Sequence, residues 1–193
     1  MALAEKKGKG MSTLLERLHR DHTILRRLLD LLSSQLDAFF AGRESNFDLK
    51  IELLDFIEHY AEQIHHPTED LIFQVAKNRC SEDEELFERI GDQHRDLEAL
   101  THRFRETLEG VIQGEVMPRE EVEVRGREFV ALQRQHIDQE EQEIFPLLEK
   151  CLVAEDWESL LAEVPLGEDE LFSREGFARF RGLIDFLSDH GNE

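Results

Sequence analysis

Positive charge is scarce in this chain. Against 44 aspartates and glutamates stand 23 lysines and arginines, a formal net charge of −21 at pH 7 over 193 residues. A surface that acidic repels phosphate backbones and anionic lipid, which argues against nucleic acid and membrane as partners. No apolar run approaches the ~18 residues of a membrane-spanning helix. The opening MALAEKKGKG carries no apolar signal-peptide core, and a cytoplasmic location is the expectation. The two cysteines, Cys80 and Cys151, form no C-x-x-C; as isolated thiols they suit a reducing compartment. Prolines number four and glycines eleven, mostly between long periodic stretches. Strand-type alternation is lacking, and so are a phosphate loop and a catalytic serine or cysteine constellation.

What is present is helical periodicity. One run spans about 13–41, with capping-box spacing between Thr13 and Glu16 and an Ala-Gly stop at 41–42. A second spans about 47–78. A third begins after Ser81, with Glu84 as capping partner, and ends near Gly110; a fourth opens at Pro118 and reaches about Lys150. Short helices near 155–163 and 174–189 follow, the latter with an apolar face of Phe177, Phe180, Leu183, Ile184 and Leu187. Residues 1–11 read as a disordered basic tail, 12–152 as the domain and 153–193 as a helical extension packed on it. Four long helices joined by short loops predict an all-α, antiparallel up-down-up-down four-helix bundle with a short C-terminal helical appendage.

Each long helix carries a histidine in its apolar stripe. The first reads Leu15, Leu18, His22, Leu25, Leu29, Leu32, Leu36; the third reads Phe87, Ile90, His94, Leu97, Thr101, Phe104, Leu108. The second reads Leu54, Ile57, Ala61, His65, Glu69, Ile72, Ala76, and the fourth Phe129, Leu132, His136, Glu140, Ile144, Leu147. In the second and fourth, a glutamate four residues on shares the histidine's face. At about 1.5 Å per residue the six polar groups fall roughly 13–21 Å from one end of the bundle, in one layer. Burying them unpartnered would cost several kcal/mol. Four imidazoles and two carboxylates exceed one tetrahedral zinc, and they suit two cations sharing carboxylates in an N/O field that favours iron or manganese.

The stretches LHRDHTIL, QIHHPTEDLIF, GDQHRDLEAL and QHIDQEEQEIFP resemble the bacterial hemerythrin-like family of HHE cation-binding domains over roughly 12–150. The resemblance implies a bundle holding two irons per chain, with manganese or zinc as substitutes. The matching ligands are His22, His65, Glu69, His94, His136 and Glu140, with Glu69 and Glu140 bridging. Oxygen-carrying hemerythrins place a second histidine one turn after the third-helix ligand; here that residue is Glu98. Either a coordination position is open or Glu98 binds. His66 and His19 are further ligand candidates, His66 being read first as an outer or solvent-facing group. Asp70 and Glu141 are candidates to hold ligand imidazoles from behind. Pro67, inside the second helix, is expected to bend it.

The expected function is a non-haem di-iron protein that binds, senses or carries O2 or NO. The alternatives are a di-iron redox enzyme or iron donor in oxidative or nitrosative stress, served by a redox partner, and a bundle whose histidines hold zinc or nothing. The chain is expected to be a monomer or homodimer.

Overall fold

The computed structural model describes residues 2–43, 45–164 and 183, with side chains from residue 13 on. Among the described residues all regular structure is helical, and no helix is long and apolar enough to cross a membrane. Helix α1 (Ala2–Phe40) is already helical at Ala2. Its backbone thus runs through the stretch read as a disordered tail, and Thr13 lies inside the helix and not at its start. Alanine, leucine, glutamate and lysine there favour helix, and no proline interrupts it. Gly42 ends the helix at φ 69°, a conformation open to glycine.

The second rod is composite. Helix α2 (Phe47–Ile57) is capped by Asn46, whose side chain accepts from the Leu49 N–H. A π-helical segment (Glu58–His65) follows, then α3 (His66–Arg79). A 3₁₀ turn (Ser81–Asp83) leads into α4 (Glu84–Ile112). The fourth rod repeats the composite pattern: α5 (Arg119–Gln139), a π segment (Glu140–Ile144) and α6 (Phe145–Cys151). Helix α7 (Ala154–Glu163) packs on α1 and α3. The expected helix at 174–189 lies outside the described residues, apart from Leu183, which is buried in the core.

The π segments explain the prolines. Pro67 and Pro146 each stand two residues beyond the end of a π segment. The His66 N–H donates to the Ala61 carbonyl and the Phe145 N–H to the Glu140 carbonyl, both five residues back. Widening the turn relieves the clash between a proline ring and the carbonyl four residues earlier. The expected bend at Pro67 is therefore a π turn. Beyond the π turn of the fourth rod Leu148 is buried rather than Leu147; ahead of it, in α5, Gln133 is buried while Leu132 is 41% exposed.

Helix α1 packs on α5 and α2, and α4 on α5, α2 and α3. Two apolar layers result. One gathers Leu25, Leu29, Leu53, Ile57, Leu100, Phe104 and Phe129; the other gathers Leu18, Ile72, Phe87, Ile90, Ile144 and Trp157. The histidines and glutamates lie between them. Cys80 and Cys151 are bonded as a disulfide, Cα atoms 5.9 Å apart, tying the end of α3 to the end of α6. The two cysteines are therefore not free thiols, and the argument they lent to a reducing compartment lapses.

Candidate metal centre

The six side chains expected from four helices converge. Glu69 and Glu140, both fully buried, face each other across the interior. Glu69 Oε1 lies 3.3 Å from His65 Nε2 and 3.7 Å from His22 Nε2. Its other oxygen lies 3.6 Å from His94 Nε2. Glu140 Oε2 stands 3.2 Å from His22 Nε2 and 3.3 Å from His136 Nε2, with Oε1 3.5 Å from His94 Nε2. The donors fall into two groups that share Glu69: His22, His65, Glu69 and Glu140 on one side, His66, Glu69, His94 and His136 on the other.

His66 is the correction that matters most. Read first as an outer or solvent-facing group, it is 5% exposed and inside the second donor group. Its ring stacks on His94 with centroids 4.2 Å apart. The π turn that ends at His65 resets the helical register, so that two consecutive histidines and Glu69 all look inward. His19 goes the other way. Its side chain is 47% exposed and its Nδ1 meets Glu141 Oε2 at 2.7 Å, outside both groups. Glu98 is exposed, because the inward line of α4 runs His94, Leu97, Thr101. His19 and Glu98 are therefore not placed as ligands.

Behind each of four imidazoles stands a carboxylate or amide. His22 Nδ1–H donates to Glu141 at 2.8 Å, His94 Nδ1–H to Asp70 at 2.9 Å, His136 Nδ1–H to Gln93 at 3.0 Å and His65 Nδ1–H to Asp21 at 3.3 Å. Asp70 and Glu141 were readable from sequence; Asp21 and Gln93 were missed. A signal existed, since each directly precedes a stripe histidine and reaches over to the histidine of the next rod. Holding the proton on Nδ1 turns the lone pair of Nε2 inward.

Those inward atoms have no partners. The Nε2 atoms of His22, His65, His94 and His136 and all four carboxylate oxygens of Glu69 and Glu140 are buried without a hydrogen bond. Such groups are normally satisfied, and each left open costs roughly 1–3 kcal/mol. The electrostatics show the same frustration. Burial, then the charge of Glu140, pushes the Glu69 carboxyl well above its ordinary range. Burial also acts on Glu140, yet the charge of His136 and the nearby imidazoles of His22 and His94 hold it well below. Burial pulls His136 down to about 4 and His66 lower than usual. His94 resists its own burial through Asp70 and Glu140 and rises to about 9. Two carboxylates this close and this buried disfavour each other's charge, and nitrogen and oxygen donors aimed at common points are what a cation needs. The residues present fit a metal centre.

The chain belongs to the hemerythrin HHE cation-binding domain family, whose family model matches residues 13–148. Comparison with curated proteins and with solved structures returns no match. Membership makes this a cation-binding domain, and the matched span takes in every helix that contributes to the two donor groups. Helix α7 lies beyond the hemerythrin match and packs against it through Trp157 and Leu160.

Proposed function

We propose that this hemerythrin-domain protein is an antiparallel up-down-up-down four-helix bundle that holds two irons and uses them to bind, sense or carry O2 or NO. The observation that carries the reading is the set of eight inward atoms without partners, contributed by four rods and divided into two groups around shared carboxylates. Two groups sharing Glu69, with Glu140 beside both, suit two cations better than one.

His66, His94 and His136 would hold one iron, His22 and His65 the other, with Glu69 and Glu140 between them. Manganese or zinc would fit the same donors. When bound, iron supplies the redox-active, Lewis-acidic centre at which a diatomic ligand is taken up. The chain's part is positioning. Asp21, Asp70, Gln93 and Glu141 keep four imidazoles in one tautomer. Phe145 lies parallel to the His22 ring, centroids 5.2 Å apart, and excludes water from that side. Tyr60, beside His65, keeps its proton because burial, and then the charge of Asp21, push its pKa up. The two donor groups place two histidines, His22 and His65, on one side and three, His66, His94 and His136, on the other.

Elemental analysis of protein purified without an affinity tag should give two irons per chain, with an oxidised-state absorption band lost in His94→Ala. One zinc, or no metal, rejects the reading. Mixing the reduced protein with O2 or NO then separates the roles. A stable, reversible spectrum is expected, whereas steady consumption with added reductant would make the protein a redox enzyme.

A further inference from the structure

A third group of ligand-type side chains lies on the outer side of the second rod, away from the inner donors. Glu58 and Glu62 of the π segment face His102 of α4. His102 Nε2 is 3.3 Å from Glu58 Oε1 and 3.8 Å from Glu62 Oε2. One ligand atom from each of the three falls within 4.8 Å of the others. The group grades from solvent inward, with side chains 51% exposed at His102, 28% at Glu58 and 11% at Glu62. Glu62 Oε1 is buried and has no hydrogen-bond partner.

An ion pair with His102 does not account for this arrangement. A protonated imidazole has one N–H at Nε2, and Glu58 is the nearer acceptor. Thr101 also hydrogen-bonds Glu62, yet Glu62 Oε1 stays buried without a partner beside a second carboxylate, which is costly. Burial, followed by the charge of Glu58, accordingly pushes the Glu62 carboxyl up to about 7. Arg105 does not reach Glu62. It pairs with the other oxygen of Glu58 and with Asp55, which leaves Glu58 Oε1 turned towards His102.

We propose that Glu58, Glu62 and His102 form a separate, solvent-facing site for a third divalent transition-metal cation. One imidazole and two carboxylates are donors that Mn²⁺, Fe²⁺ and Zn²⁺ accept. The cation takes the place the imidazole proton cannot fill, bridging Glu62 and Glu58 on the solvent side. Three protein donors, an open outer face and the Arg105 charge nearby make the site weaker than the buried one, so its cation exchanges. The net acidity of the chain concentrates cations around it. The site does not depend on which metal the inner centre holds.

The test is a titration of the full chain, loaded with its inner metal, with Mn²⁺, followed by the resonance of free aqueous Mn²⁺ at physiological ionic strength to screen diffuse surface binding. Inner metal content is measured beforehand, so a failure there is read separately. Wild type should take up one extra Mn²⁺ per chain. Both His102→Ala, at an exposed position, and the isosteric Glu62→Gln should weaken that uptake at least about tenfold, with the inner metal content unchanged. No extra uptake by wild type, or wild-type uptake in either variant, overturns the proposal.

Discussion

An imidazole binds a cation only with its lone pair aimed inward, and in this protein the aim is set by a neighbour on another helix. Asp21 of α1 holds His65, Asp70 of α3 holds His94, Gln93 of α4 holds His136, and Glu141 of the fourth rod holds His22. The circuit closes on itself, each rod orienting the histidine of the next. Asp70→Asn should therefore lower metal affinity by about 10–100-fold in a chelator competition while helical circular dichroism stays at the wild-type level. A buried cation of a different kind is Lys50, fully enclosed, with its ammonium 4.2 Å from the Phe47 ring centroid and bonded to Ser45 and the Asn46 carbonyl. Burial lowers its pKa from 10.5 to about 8. The unfolded chain thus holds the lysine proton to higher pH than the native one, so stability should rise with pH between about 8 and 10.5. Urea denaturation across that window should show the slope in wild type and its loss in Lys50→Met. The variant should also be more stable at pH 7, by up to about 3 kcal/mol less the two hydrogen bonds it forfeits.

The helices themselves are shaped for the site. Both glutamate-bearing rods contain a π turn at the metal layer and a proline just past it. An uninterrupted α-helix would rotate His66 about 100° from His65 and carry it off the inner face. Close approach of the rods has its own residue requirement. A Cβ on Gly126 of α5 would meet Leu36 Cδ1 at 2.8 Å and Phe104 Cζ at 3.1 Å. Gly126→Ala should gain up to about 1 kcal/mol in helix propensity and lose about 1–3 kcal/mol to overpacking. A net loss of roughly 1 kcal/mol in chemical denaturation is expected.

Across the whole molecule, a polar layer with unmet donors separates two apolar layers, and the apo fold carries that cost alone. A cation bound only by the native state adds about 2.7 kcal/mol at a hundred times its dissociation constant. Chelating the resident cations should accordingly lower the melting temperature by about 10 °C or more, read by differential scanning calorimetry before and after metal is restored. The polar layer was legible in advance from His22, His65, His94 and His136 at matching heights, because a 3.6-residue period converts sequence position directly into face and level. His66, the free-thiol reading, the exposed Leu132 and the start of α1 were not legible. Each turns on a departure from that period or on a contact between distant segments.

The sequence by itself determined that the chain is helical, that four rods each carry an imidazole and two carry a carboxylate one turn on, and that these meet. Local periodicity and burial suffice for that. Only the tertiary structure decided that His66 enters and His19 and Glu98 stay out, that Cys80 meets Cys151, and which neighbour steadies each histidine. Those outcomes depend on π turns and on which rods lie side by side, and neither is written in the spacing of residues along one helix.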